Sequence, residues 1–261
     1  MKRTIIALVA LAGVASAATK ATIDTTDSAL ESYFDYSTGN SKVAGDANTT
    51  WGEKMAWNSA GQYGTTGTQN SMYSSGVDIN MKADGGFTFS FDINNITKTG
   101  TILTVFTGSG DAWRTLRANI TKDDTSGAYT LSTTLGSATL TTELGTDISW
   151  TTLTFVGTAN TAGVTEDSKL TMDLDIYVDG KSTTSLSDFG AWNFVVGDLN
   201  NVQFGYWGDS SKNTQLDIDN VLIYSRPLSA DEVKALTVPE PTTATLSLLA
   251  LAGLAARRRR K

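Results

Sequence analysis

The 261-residue chain has no cysteine, no histidine and 3 prolines. Without cysteine there is neither disulfide nor thiol nucleophile. Without histidine there is no Ser-His-Asp triad and no His-ligated zinc or iron site. Chemistry is left to carboxylates, Lys, Arg, Tyr, Ser and Thr, or to an ion held by oxygen, which argues against an enzyme. Long apolar runs are scarce too, and the one transmembrane-helix candidate, through which the chain would meet a membrane before processing, is marginal in length. The C-terminal stretch 244–256 holds 13 residues, short of the roughly 17–25 that cross hydrocarbon as a transmembrane helix.

What is abundant is threonine, 41 residues, together with 24 glycines. That combination favours strands and turns over a helical bundle. The 40% hydrophobic and 18% charged composition is that of a globular protein, long enough to bury one sizeable core.

Both ends read as addresses. Lys2 and Arg3, the apolar run Ile5 to Val14 and then Ala15-Ser16-Ala17 have the order of a secretory signal peptide, residues 1–17. At the other end Val238-Pro239-Glu240-Pro241 is followed by an apolar run and then Arg257 to Arg260 and Lys261. This tail, 238–261, resembles the PEP-CTERM sorting signal of Gram-negative bacteria. The resemblance implies processing by an exosortase near Pro239, Glu240 and Pro241, and delivery to the cell surface or extracellular matrix. An ordinary tail anchor is the alternative.

Removing both ends changes the charge balance. The remaining 13 basic and 26 acidic residues leave a net charge of about −13, against −7 for the whole chain. Such a surface repels nucleic acid and anionic lipid but suits calcium and neutral glycans.

Between the ends, period-2 alternation and turn residues predict strands over 29–36, 86–93, 101–107, 115–121, 129–134, 138–142, 150–157, 170–178, 202–207 and 216–224. Segment 37–76 reads as an irregular loop region with scattered aromatics. Asp179-Gly180 predicts a type I′ hairpin turn. In 216–224 the apolar phase flips after Ile218, from Leu216 and Ile218 to Val221 and Ile223, which predicts a bulge at Asp219 and Asn220. Ser229-Ala230-Asp231-Glu232 is a capping box before a short helix. The expected architecture is all-β: one antiparallel two-sheet sandwich of about ten to fourteen strands, occupying 18–237.

The stretch Trp150 to Leu236 resembles the laminin G-like, or concanavalin A-like, jelly roll of bacterial surface proteins. The matching residues are Trp150-Thr-Thr-Leu-Thr-Phe-Val156, then Leu174-Asp-Ile-Tyr177-Val-Asp179-Gly180-Lys181, then Val202-Gln-Phe-Gly205. The series closes with Leu216-Asp-Ile-Asp219-Asn-Val221-Leu-Ile-Tyr224-Ser-Arg226-Pro-Leu228-Ser229 and Glu232 to Leu236. The family places its Trp at this position within the strand. The resemblance implies Ca²⁺ near one rim, for which Asp219, Asn220 and Asp198 are candidate ligands. An Asp at 219 equally satisfies backbone N–H groups at a bulge.

Candidate sites follow from what sugars and carboxylates need. Sugar rings stack on aromatics while their hydroxyls pair with polar groups, so Trp207, Tyr206, Asp209 and Trp113 are candidate ligand-binding residues in a lectin-like reading. Core or rim packing is their other use. A retaining glycosidase needs two carboxylates about 5–5.5 Å apart; Asp173 with Asp175 and Asp217 with Asp219 meet the i, i+2 spacing. The Glu-x-Asp-x-x-Glu strand of jelly-roll glucanases is missing, and Asp173 and Asp175 read as a solvated strand face that discourages edge pairing. The expectation is a non-catalytic carbohydrate- or matrix-binding surface protein. A structural or adhesive matrix protein is the alternative, and a glycoside hydrolase the more distant one.

Overall fold

The computed structural model describes residues 27–35, 40–43, 50–53, 56–57, 64–65, 72–79, 85–107, 116–135, 138–159, 170–192, 199–205 and 212–237. The chain divides into two compact units, Asp24–Ala235 and a second made of Met1–Ile23 and Leu236–Lys261. The first carries the β-structure. The expected signal peptide, 1–17, lies outside the described residues.

Sixteen strands and one helix occur among the described residues. They are β1 (Leu30–Asp35), β2 (Asn40–Val43), β3 (Thr50–Glu53), β4 (Ala56–Trp57), β5 (Gly64–Thr65), β6 (Met72–Ile79), β7 (Gly86–Lys98) and β8 (Gly100–Thr107). Then come β9 (Leu116–Lys122), β10 (Tyr129–Leu135), β11 (Ala138–Gly145), β12 (Thr151–Ala159), β13 (Leu170–Val178), β14 (Lys181–Trp192), β15 (Leu199–Phe204), β16 (Gln215–Tyr224) and the helix α1 (Ala230–Thr237). A nine-stranded sheet runs β14-β13-β12-β7-β16-β1-β2, with β5 on β16 and β4 on β5. A seven-stranded sheet runs β11-β10-β9-β8-β15-β6-β3. Every strand pairing is antiparallel. The expected two-sheet sandwich with one short C-terminal helix is what forms.

The core lies between the sheets and follows the alternation. From the nine-stranded sheet come Phe87, Phe89, Phe91, Ile93, Leu153, Phe155, Leu174 and Ile176. From the other come Leu103, Val105, Leu116, Ala118, Ile120, Leu131, Val202 and Phe204, all buried in one cluster. Gly157, opposite Phe87 in the β12–β7 register, has a reason to lack a side chain. A Cβ there would stand 2.5 Å from the Phe87 ring.

Both local signals at turns hold. Asp179 and Gly180 have φ of 49° and 71°, as a type I′ turn requires. Asp179 Oδ1 also accepts from Thr152 N at 2.9 Å, which ties the hairpin to β12. At the helix start Ser229 N and Oγ donate to Glu232 Oε2 at 2.8 and 2.9 Å, while Glu232 N donates to Ser229 Oγ at 3.3 Å. That is the reciprocal capping box.

Other expectations are corrected. Segment 37–76 is not wholly irregular: β2 to β5 and the start of β6 lie in it. Their pairing comes from sheet neighbours, which short polar segments do not announce. The strand count exceeds fourteen for this reason and because β14 was not expected. Trp150 stands before its strand in left-handed conformation (φ 47°), and β12 begins at Thr151.

The polar side of β7 is buried as well. Thr88 and Ser90 are fully covered and Asp92 nearly so. Ser90 Oγ and Thr154 Oγ1 share a hydrogen bond of 2.9 Å. Thr88 Oγ1 donates to the Arg226 carbonyl and accepts from Leu228 N at 2.9 Å, so the chain leading into α1 is laid over this side of the sheet.

Candidate functional site: a hydroxyl-bearing sheet face and an acidic bulge

The outward side of the seven-stranded sheet follows from the alternation of its hairpins. In β9 and β10, Leu116, Ala118, Ile120, Tyr129, Leu131 and Leu135 turn into the core. That leaves Arg117, Asn119 and Thr121 on β9, and Thr130, Ser132 and Thr134 on β10, directed outward and half-buried except for the exposed Thr121. On β11 the corresponding residues are Thr139, Thr141 and Glu143, all exposed. Register aligns them in rows. Thr134 lies opposite Arg117 and Thr139, Ser132 opposite Asn119 and Thr141, and Thr130 opposite Thr121 and Glu143.

The first row continues across the sheet, because Arg117 pairs with Thr104 on β8 and Thr104 with Gln203 on β15. Thr104 is fully buried, and the side-chain oxygen of Gln203 is shielded from water with no hydrogen-bond partner. Thr101 Oγ1 donates to Asn119 Oδ1 at 2.8 Å, and the Thr134 and Thr139 hydroxyls stand 3.5 Å apart. Burial pushes the Arg117 guanidinium below its usual range. Among these outward residues Arg117 is the one cation and Glu143 the one anion.

The β9–β10 turn fixes this register. Asp123 Oδ1 accepts from Ser126 N at 2.7 Å, Ser126 Oγ at 2.9 Å and Thr125 N at 2.9 Å. The Ser126 and Thr125 bonds hold this exposed carboxyl below the ordinary carboxylate range.

The second region is the predicted bulge. Asp219 pairs with Asp92 and Leu222 with Ser90, so β16 carries two residues between these pairs where β7 has one. Asn220 takes the left-handed conformation, φ 49°. Its backbone N–H donates to Asp219 Oδ1 at 2.7 Å and its Nδ2 to Asp92 Oδ2 at 2.8 Å. The other Asp92 oxygen accepts from Thr152 Oγ1 at 2.6 Å. Leu216 and Ile218 before the bulge and Val221 and Ile223 after it all reach the core, which is the phase flip seen in the sequence.

Asp217 and Asp219 are buried, whereas Asp173 and Asp175 are half-buried on the outward side of β13. Among the described residues no group of three or more acidic side chains is arranged to hold a metal ion. Asn220 thus donates to both Asp219 and Asp92, and Asp92 also accepts from Thr152, which satisfies polar groups at the bulge.

Trp113, Asp198, Tyr206, Trp207 and Asp209 lie outside the described residues, as do Pro239, Glu240 and Pro241. The hydroxyl rows were not anticipated from the sequence. Their signal is the Thr/Ser at alternate positions of 130–134 and 139–141, visible only once the strands are set in register.

Residues 237–261 match the PEP-CTERM protein-sorting motif. This chain carries a bacterial export and surface-sorting signal. The motif implies processing by an exosortase. No curated protein matches the sequence. Among solved structures the chain is similar to the binding domain of botulinum neurotoxin serotype D, at 13% identity and a TM-score of 0.53. It is also similar to the binding domain of botulinum neurotoxin DC in complex with SialylT, at 14% identity and 0.52. A third is botulinum neurotoxin type C, whose cell entry depends on interaction with two ganglioside molecules, at 14% identity and 0.51. Each likeness covers 80% of this chain and about half of the other, 50–51%. At this identity the likeness is one of fold, a β-sandwich of binding domains. No helix among the described residues is long and apolar enough to cross a membrane.

Proposed function

We propose that this exported, surface-sorted protein is a non-catalytic carbohydrate-binding module. The observation that carries the reading is the outward side of β9, β10 and β11, where hydroxyl and amide groups stand in register with no pair of facing carboxylates. Hydroxyls and amides pair with sugar hydroxyls in both directions, as donor and as acceptor. Hydrolysis of a glycosidic bond needs two acids across the scissile bond, and this side offers Glu143 alone. The neurotoxin binding domains, two of them tied to SialylT or gangliosides, support the same direction. Trp207, Tyr206, Asp209 and Trp113 enter this reading as its candidate aromatic and polar contacts. Ca²⁺ enters as the ion to test through Asp219, Asn220 and Asp198.

The test is a glycan panel probed with the purified full-length chain, with and without EDTA. Saccharide binding without release of reducing ends is the expected result. Silence across diverse glycans with retained binding to cell-surface protein would replace the reading with an adhesive matrix role. Appearance of reducing ends would replace it with an enzyme.

A further inference from the structure

We propose that α1 is a latch on the sorting tail: processing passes through a state in which this helix has left the sandwich and unwound. The proposal rests on the sorting motif and is independent of the carbohydrate reading.

The sequence sets the problem. α1 covers Ala230–Thr237, and Val238-Pro239-Glu240-Pro241 follows it directly, so no residue separates the helix from the box. The motif match itself begins at residue 237, the last of the helix. An enzyme that draws a peptide into a cleft holds it extended and pairs with its backbone. Backbone wound into a helix is not extended, and its inner N–H groups are already bonded. Unwound, the 8 residues of α1 reach about 27 Å instead of about 12 Å, which sets the box clear of the sandwich.

The helix is built to open. Eight residues are too few for a helix to stand alone in water, so its order comes from docking. Val233 is its one buried residue. The second hold is Glu232, whose Oε1 and Oε2 accept from Arg226 Nη2 and Nη1 at 2.8 and 3.1 Å. Glu232 Oε2 also accepts from Ser229 N and Oγ, so one carboxylate both caps the helix and fastens it.

The hinge is equally defined. Thr88 Oγ1 bonds the Arg226 carbonyl and Leu228 N, and Ser225 N donates to the Ala29 carbonyl at 2.8 Å. The chain is pinned to the sheet as far as Leu228, which confines opening to 229–237. Arg226 Nη2 also donates to Asp27 Oδ2 at 2.8 Å, so the guanidinium keeps its place when α1 leaves. Where opening and closing are fast, cleavage tracks the population of the open form. The Arg226–Glu232 fork and Val233 set that population.

The test follows loss of the tail from the full-length chain by pulse-chase in bacterial cells that carry an exosortase. Arg226→Gln and Val233→Ala are each expected to speed that loss by about 5-fold or more. Phe204→Leu, which weakens the core on the other sheet, is expected to leave the rate unchanged; thermal melts confirm that all three variants fold. A flexible insert of eight Gly and Ser residues between Thr237 and Val238 supplies the spacing without opening α1. With it, processing should be fast and no longer respond to Arg226→Gln. Rates unmoved by Arg226→Gln and Val233→Ala, or raised equally by Phe204→Leu, would overturn the latch and leave the sorting signal standing. Retention of the tail by every form, the insert included, would remove exosortase processing itself and the latch with it.

Discussion

The ring of Phe91, on the nine-stranded sheet, meets the ring of Phe204, on the seven-stranded sheet, edge to face with centroids 5.1 Å apart. Phe91 also stacks against Phe155 at 6.0 Å. One side chain thus joins the two layers and the neighbouring strand β12. Both rings of the cross-sheet pair are fully buried. Phe91→Ala is expected to lower stability by about 3–5 kcal/mol. A double-mutant cycle of Phe91→Leu with Phe204→Leu should give a coupling of about 0.5–1.5 kcal/mol. Denaturant unfolding measures both.

Arg226 joins three parts of the chain. Its Nη1 and Nη2 donate to the two Glu232 oxygens at 3.1 and 2.8 Å, and Nη2 donates to Asp27 Oδ2 at 2.8 Å. This fork, with the Ser229 N–H, holds the Glu232 carboxyl down at about 2. Because the folded value lies below the unfolded one, the contribution is complete above about pH 4.5 and is lost as pH falls toward 2. Glu232 is 43% exposed and Arg226 36%, so solvent screening reduces the contribution to about 1 kcal/mol. Thermal melts from pH 2 to 6 should show the unaltered chain losing its advantage over Glu232→Gln across that window.

The bulge gives a residue-specific prediction. Asn220→Gly keeps the left-handed backbone and loses only the amide bond to Asp92. Asn220→Ala loses the bond and adds backbone strain. The Ala variant should be the less stable by about 1 kcal/mol, the Gly penalty relative to Asn being smaller. Equal losses in chemical denaturation would contradict the assigned role of the positive φ.

Gly157→Ala tests the packing of β12 on β7. Its new methyl would press on the Phe87 ring, and overpacking of this kind costs about 1–3 kcal/mol. Phe87→Leu in the same chain should recover part of that loss. A melt unchanged by Gly157→Ala would show that the ring has room to move.

Much of this fold is legible in the sequence because its long strands alternate cleanly. Leu170 to Val178 and Phe87 to Ile93 announce their inward side by residue type, and the phase flip at Asp219 and Asn220 announces the bulge. β14 hides because Ser182 to Ser185 offers no apolar period, its place being set by the Asp179-Gly180 turn and by β13. The burial of Thr88, Ser90 and Thr154 is equally invisible. Hydroxyls that satisfy one another, or the chain leading into α1, look in sequence like a solvated side. The hydroxyl rows need register between strands, which no single strand contains. Trp207 and Trp113 read as sugar platforms from residue type alone, and both lie outside the described residues.

Hydrogen–deuterium exchange of the full-length chain, with and without a saturating neutral polysaccharide, tests the central claim most directly. Added protection confined to β9, β10 and β11 is the predicted result. Protection only in 108–115 or 206–211, or saccharide consumed during the incubation, would contradict it.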